Sequence, residues 1–286
     1  MESSTQDLVR EAVKLVEADD VDGLKRVLDQ FLSSPPRPGP SDSPEPIMDH
    51  MDPALQAALK NAKVAAATEL FTRGCKPHRN CIRSALSSCT PETGFNLASF
   101  ECMLTHGWDV NDNEGHTGDA LMMAIRFSRF PLAEFVLRNG ADPNRNWSSG
   151  GDFIMALGRA CSSENVPLDL VRLLLEKGAD VREGAALLAA ASADEGGRAD
   201  ILELLLEDSA GASLIDEIPA SIQYDNVLDA DYWGTPLHGA AAKGNVKCVE
   251  LLLAKGASKE IRNGAGRTPK ETAEMFGHSE CARLLA

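Results

Sequence analysis

A short run of cysteines and histidines in the first half of the chain is the densest grouping of residues that could bind a metal. It reads Cys75-Lys76-Pro77-His78-Arg79-Asn80-Cys81, and Cys89, Cys102 and His106 follow downstream. Thiolate and imidazole are ligands that zinc prefers, but a zinc site needs them to converge in a tetrahedron. The repeat pattern described below places these residues on a loop and on two different helices. The sequence therefore favours ordinary buried thiols, and we expect no metal and no cofactor.

Motifs of the common nucleotide-binding and hydrolytic sites are absent from the 286 residues. The sequence has no Gly-x-x-x-x-Gly-Lys loop, no Gly-x-Gly-x-x-Gly, no His-Glu-x-x-His and no Gly-x-Ser-x-Gly. It therefore predicts a protein that is not an enzyme.

Charge is a second possible source of function. The formal net charge is -15, and a surface so acidic repels phosphate, so we expect neither direct nucleic-acid binding nor binding to an anionic membrane. Between Asp194 and Asp231, eleven acidic residues stand against one base, Arg198. This acidic region is either a solubilising surface or an electrostatic docking site for a basic partner.

A local basic stretch over residues 60–83 has the opposite sign. Six bases there stand against a single acid, Glu69. The bases are Lys60, Lys63, Arg73, Lys76, Arg79 and Arg83. The stretch is either a solvated face or a weak site for an acidic partner.

An internal repeat organises the chain. A Leu-rich stretch ending in Gly-Ala occurs at 135–142, 173–180 and 251–258, and weaker copies end at Gly74, Gly107 and Gly211. The marker glycines at 74, 107, 140, 178, 211 and 256 are separated by 33, 33, 38, 33 and 45 residues. A period of 33 with insertions is typical of stacked helix pairs. The low aromatic content of 5% also suits packed helices better than strands.

The most regular copy shows how each unit folds. Thr235 can cap a helix that begins at Pro236, because proline fits the first helical position. Gly244 permits a tight turn into a second helix, whose buried stripe is Val249–Leu253. Gly256 can adopt the left-handed conformation that ends that helix. The polar stretch before the next Thr-Pro then forms a projecting hairpin loop, which we call a finger.

Thr235-Pro236-Leu237-His238-Gly239-Ala240-Ala241, with Gly244 and the Leu run after it, resembles the ankyrin consensus. Gly266-Arg267-Thr268-Pro269 resembles the start of a final repeat. The resemblance implies an all-α solenoid of stacked helix-turn-helix units with projecting hairpin loops. It also implies that His238 is a structural hydrogen-bonding residue rather than a catalytic one.

The predicted organisation has three parts. Residues 1–32 form an N-terminal helix pair, either a divergent first repeat or a cap, and 33–50 form a Pro-rich linker. Residues 51–286 form the ankyrin array of about seven repeats, with an insertion near 212–230 and with 263–286 as the C-terminal cap. The repeats run over about 52–80, 81–113, 114–146, 147–182, 183–228, 229–262 and 263–286. The insertion is either a short helix packed on the array or a disordered loop.

The function that this organisation favours is a non-catalytic adaptor that binds a protein partner, possibly basic, through the concave ankyrin surface. Exposed aromatics on fingers beside the acidic region are the best candidates for contact. The candidate residues are Trp147, Tyr232, Trp233, Asp229 and Asp231. One alternative is a nuclear transcriptional coregulator, and another is a ligand-binding protein or enzyme that uses the acidic insertion as a lid.

The N-terminus is polar and lacks the apolar core of a signal peptide. The seven cysteines form no compact framework, which is typical of reduced thiols. We therefore expect a cytoplasmic or nuclear protein. We also expect it to be monomeric.

Overall fold

The computed structural model of the chain describes residues 4–33, 47–87, 97–112, 119–145, 147–149, 152–182, 185–194, 196–207, 209–219 and 234–286. The chain divides into two compact units, Met1–Glu114 and Gly115–Ala286, which we call unit 1 and unit 2.

Unit 1 is a double layer of short helices. They are α1 (Thr5–Glu17), α2 (Val21–Ser33), a 3-10 helix (Ile47–Met51), α3 (Asp52–Lys60), α4 (Val64–Thr72), α5 (Arg79–Ser87) and α6 (Ala98–Thr105). Helices α1, α3 and α5 pack side by side as first helices, and α2, α4 and α6 form the second layer behind them. The N-terminal helix pair therefore packs on the next pair in the same way as the later pairs pack on each other.

Unit 2 repeats this arrangement. Its helices are α7 (Ala120–Arg126), α8 (Phe130–Arg138), α9 (Ala156–Ser162), α10 (Leu168–Glu176), α11 (Ala186–Ala191), α12 (Ala199–Glu207), α13 (Ser209–Ser213), α14 (Pro236–Lys243), α15 (Val246–Ala254), α16 (Pro269–Met275) and α17 (Ser279–Leu284). First helices α7, α9, α11, α14 and α16 pack in series, and second helices α8, α10, α12, α15 and α17 pack in a parallel series. This confirms the all-α fold of stacked helix pairs.

Strand is confined, among the described residues, to one short hairpin in a finger. Strand β1 (Trp147–Ser149) pairs antiparallel with β2 (Asp152–Ile154), and Trp147 lies opposite Ile154. Gly150 and Gly151 stand between the two strands in the sequence, which is a composition that two-residue hairpin loops favour.

Small residues let the first helices approach each other closely. Ala240 and Ala241 of α14 are fully buried. A β-carbon on Gly239 would lie 2.5 Å from the side chain of Leu188 on α11, so a larger residue there would require Leu188 to move. The second helices supply the larger apolar groups, such as Leu252, which is also fully buried.

Glycines end the second helices as the repeat predicts. Gly74, Gly107, Gly140, Gly178 and Gly256 all have positive φ, between 88° and 110°. Gly211 does not follow this pattern, because it lies inside α13, where a β-carbon would meet the carbonyl of Leu205. The prediction that Gly211 ends a second helix is therefore wrong. Helix α12 ends earlier, at Glu207, and α13 occupies the start of the predicted insertion.

Trp108 occupies the position where the better repeats have alanine. It is 4% exposed and lies 6.0 Å from Phe100 between ring centroids. The indole therefore fills space in the core of unit 1, as its place in the sequence predicts.

Candidate interaction surfaces

The structure describes only one of the five predicted contact residues. The backbone of Trp147 belongs to the hairpin strand β1. Tyr232, Trp233, Asp229 and Asp231 lie outside the described residues. Their role in binding therefore stays a prediction, and the structure bears on it through the neighbouring groups described below.

His238 is held in a structural network. Its Nδ1 bonds to the hydroxyl of Thr235 at 2.9 Å and accepts from the Thr235 N–H at 3.2 Å, while Nε2 donates to the carbonyl of Arg267 at 2.9 Å. Burial lowers the pKa of His238, which favours this neutral form. The imidazole therefore caps α14 and joins it to the finger of the last repeat.

The described cysteines and histidines of this run contact different partners. Cys75 lies buried before α5 and donates to the carbonyl of Met48, whereas His78 bonds to the carboxylate of Asp52 at 2.8 Å. Cys102 is on α6, where its sulfur lies 3.5 Å from the hydroxyl of Thr68. Cys89 lies outside the described residues.

Three of the described thiols are poor ligands and poor nucleophiles. Burial raises the pKa of Cys75, Cys161 and Cys248 to about 12, so these thiols are protonated at neutral pH. Across the described ranges, no group of three His, Cys, Asp or Glu side chains is placed to hold a metal ion.

The acidic region contains two kinds of carboxylate. Three have structural partners: Asp194 pairs with Lys243 at 2.7 Å, Asp200 pairs with Arg198 at 2.8 Å, and Asp216 accepts from a main-chain N–H. Three others are exposed and form no ion pair with a described residue, namely Glu203, Glu207 and Glu217. Among the described acids, this second group can act on a partner through charge without giving up a contact within the fold.

Glu217 stands at a crevice between the insertion and two first helices. The crevice is small, with a volume of about 20 Å³. Its lining is mostly apolar and comprises Val181, Arg182, Ala185, Ala186, Leu187, Leu188, Leu214, Glu217, Pro219 and Pro236. Ile218 is next to Glu217 and is 37% exposed. Sequence reasoning missed this crevice, although the apolar residues among the acids of the insertion were its signal.

The basic residues of the stretch at 60–83 also fall into two groups, some in ion pairs and some not. Lys63 pairs with Asp19 at 3.1 Å, and Arg73 bonds to Asp29 and to Glu69. Lys60 and Arg83 form no ion pair with a described residue and both line an open groove on the first helices of unit 1. Sequence reasoning treated the stretch as one feature, because it could not show which cations are already paired.

Comparison with known proteins agrees with this geometry. Residues 213–286 match the family described as ankyrin repeats (3 copies). Protein glp-1 of Caenorhabditis elegans is 31% identical over 206 residues, which cover 68% of this chain and 15% of that protein. Mouse ankyrin repeat domain-containing protein 37 is 41% identical over 51 residues, covering 18% of this chain and 32% of that protein.

Mouse palmitoyltransferase ZDHHC13 is 40% identical over 60 residues, which cover 21% of this chain and 10% of that protein. The chain thus spans less than a third of the length of each of these curated relatives. None of the described helices is both long and apolar enough to cross a bilayer. From the stacked helix pairs and the match at residues 213–286, the chain is an ankyrin-repeat protein.

Proposed function

We propose that the chain is a non-catalytic adaptor that binds a protein partner with a basic surface. Ankyrin repeats generally mediate protein–protein interaction. The expected binding surface in unit 2 is the one formed by its first helices and fingers, which repeat proteins use for extended contacts. The proposal includes a monomeric chain in the cytoplasm or the nucleus.

The observation that carries this proposal is the crevice at Glu217. Ile218 and the apolar rim of this small crevice offer exposed apolar surface beside the carboxylate of Glu217. A partner can pack an apolar side chain against that surface and place a basic one next to Glu217. The insertion that forms this crevice continues in sequence towards Asp229, Asp231, Tyr232 and Trp233. The predicted contact residues begin ten positions beyond Pro219, on the same insertion.

The structural use of polar groups supports a binding role over a catalytic one. His238, which sequence inspection singles out in the repeat motif, has both ring nitrogens engaged in holding two repeats together. General base catalysis needs an imidazole nitrogen that can reach a substrate. The groups that remain available to a partner are exposed side chains, which can recognise it by complementary shape and charge.

The test begins with affinity purification and mass spectrometry on the full chain and on the triple variant Trp147→Ala, Tyr232→Ala, Trp233→Ala. A partner lost from the variant is then measured against the single variant Trp233→Ala. We expect binding to weaken by about 2 kcal/mol or more, which corresponds to roughly thirtyfold in Kd. Equal affinity of Trp233→Ala and wild type would place the interface elsewhere.

A matched pair of charge variants tests the electrostatic part. Asp229→Asn with Asp231→Asn removes two charges at the proposed site, and Glu203→Gln with Glu207→Gln removes two exposed charges from α12. We expect only the first pair to slow association markedly, because charges beyond about 8 Å are screened at physiological salt. Equal slowing by both pairs would show that net charge, and not this site, drives the encounter.

A further inference from the structure

One face of α1 and α3 in unit 1 carries only exposed and half-buried residues. On α1 the residues of this face recur every three or four positions, from Gln6 through Val9 and Val13 to Glu17. On α3 they run from Pro53 through Gln56 to Lys60. This spacing places each set on a single side of its helix. Two open grooves lie on this face, one at each end of the helices.

The groove at the N-terminal ends of α1 and α3 is apolar at its base. It has a volume of about 650 Å³. Its lining comprises Thr5, Gln6, Val9, Arg10, Val13, Lys14, His50 and Pro53. Val9 and Val13 are half-buried, unlike Leu8, Ala12 and Val16, which are buried in the core of unit 1. The valine side chains thus offer apolar surface that the fold of unit 1 does not use.

The groove at the C-terminal ends of α1 and α3 is polar and extends onto α5. It has a volume of about 610 Å³. Its lining comprises Glu17, Gln56, Ala57, Lys60, Asn61, Asn80, Arg83, Ser84 and Ser87. Amides and hydroxyls of this kind can bond to the backbone of an extended peptide, since each supplies donors and acceptors.

The charge of this face is positive in a chain of net charge -15. Lys14, Lys60 and Arg83 line the grooves and form no ion pair with a described residue. Arg10 contacts Asp7 at 3.7 Å through an exposed pair, which contributes little. Glu17 is the single acid in either lining. Because distant acids are screened within about 8 Å at physiological salt, the local cations dominate at this face.

We propose that this face binds an acidic segment of a protein partner, in which apolar side chains stand next to Asp or Glu. The apolar side chains occupy the groove over Val9 and Val13, and the carboxylates pair with Lys60 and Arg83. The lining contains no tryptophan, tyrosine or phenylalanine on which bases could stack, so nucleic acid fits it less well than peptide. The site lies in unit 1 and has the opposite charge to the site proposed in unit 2, so it goes beyond the proposed function.

Selection from a random phage-displayed peptide library on the full chain tests the proposal. We expect the peptides recovered on wild type to be enriched in Asp and Glu beside Leu, Ile or Phe. We expect the charge-reversed variant Lys60→Glu, Arg83→Glu to bind the recovered peptides at least tenfold more weakly in fluorescence polarisation. Val9→Ser with Val13→Ser should weaken the same peptides without changing their dependence on salt.

The control is Lys247→Glu with Lys255→Glu, which makes the same charge change at exposed positions of unit 2. It should leave peptide affinity within about twofold of wild type, and far-UV circular dichroism should show that every variant is folded. Recovered peptides no more acidic than the library, or equal loss in the Lys60 and Lys247 variants, would overturn the proposal. The basic partner of unit 2 should bind the Lys60, Arg83 variant normally, so the two proposals can fail separately.

Discussion

The side-chain amide of Asn245 donates to the carbonyl of Ala191 at 2.7 Å and so joins α15 to the end of α11 in the preceding repeat. The same amide donates to Ala193 at 2.9 Å. One repeat later, His278 donates to Ala242 at 3.0 Å, and one repeat earlier, Arg198 donates to Ser163 at 2.7 Å. Each donor stands directly before a second helix, so three different residue types make the same contact between repeats.

Replacing Asn245 with alanine should destabilise unit 2. The substitution leaves the carbonyls of Ala191 and Ala193 without this donor at a site where Asn245 is 2% exposed. We expect a loss of about 1–3 kcal/mol in the free energy of unfolding, measured by urea denaturation. The control is Asn139→Ala, whose exposed amide bonds only within its own helix and should cost less than about 0.5 kcal/mol. Equal costs would show that the contact between repeats adds nothing.

Glycine should stabilise two tight turns that lack it. Ala62 and Ser128 have φ of 53° and 54° at the turn between the paired helices, where Gly244 and Gly277 have 73° and 79°. A non-glycine residue in this conformation costs about 1–2 kcal/mol, of which part is offset by the entropy that glycine adds to the unfolded chain. We expect Ala62→Gly and Ser128→Gly each to raise the free energy of unfolding by about 0.5–1 kcal/mol, seen as a higher urea midpoint. A lower midpoint in either variant would contradict this.

The pH dependence of stability should contain a contribution from His238. Burial lowers its pKa below the usual 6.5, so below that pH the unfolded chain binds more protons than the folded chain. The stability that neutral His238 provides is therefore present above pH 6.5 and is lost as the pH falls through that value towards the folded pKa. We expect the urea midpoint of wild type to fall more steeply than that of His238→Gln between about pH 7 and 5. Parallel curves would show that His238 does not titrate in this way.

Regular repeats were predictable from sequence, and irregular ones were predictable only in part. The Thr235-Pro236 cap and the turn at Gly244 follow from residue type, because few other residues fit those conformations. The prediction that Gly211 ends a second helix was wrong. Gly211 lies 33 residues after Gly178 and so matches the repeat period, but α12 ends four residues before it, at Glu207. A period locates the repeats, but it does not show where an insertion begins.

Leu252→Asp tests the register of the most regular repeat. Leu252 is fully buried on α15, so the variant places a carboxylate in the apolar core. We expect a loss of several kcal/mol in the free energy of unfolding, because burying an unpaired charge is among the largest single-residue effects. Lys247→Asp at an exposed position of the same helix should cost less than about 1 kcal/mol. An unchanged melting temperature for Leu252→Asp would show that the assigned register is wrong.

The candidate surfaces were less predictable than the fold, because composition does not show which charges are paired. Lys63 and Lys60 are close in sequence, yet Lys63 pairs with Asp19 and Lys60 lines a groove. Val9 and Val13 directly follow Leu8 and Ala12 on the same helix, so residue type and spacing do not separate the two sets. In the structure the two valines lie beside the buried row of Leu8, Ala12 and Val16 on α1, and they line the apolar groove. Such distinctions depend on neighbours in space.

Asp216 separates a structural role from an electrostatic one within the acidic region. Its carboxylate accepts from the N–H of Ser258 at 2.8 Å, just as the amide oxygen of Asn144 accepts from the N–H of Asp180 at 2.8 Å between an earlier pair of fingers. Asp216→Asn keeps an oxygen acceptor and Asp216→Ala does not, while both remove the same charge. We therefore expect Asp216→Ala to lower the free energy of unfolding by about 1 kcal/mol and Asp216→Asn to stay close to wild type. Association with a basic partner, measured by stopped flow, should be slowed little and equally by both variants, since Glu217 and the acids beyond it remain.

If Asp216→Asn destabilises as much as Asp216→Ala, the bond to Ser258 does not hold the fingers together. If both slow association as strongly as the Asp229, Asp231 pair does, Asp216 belongs to the docking site instead.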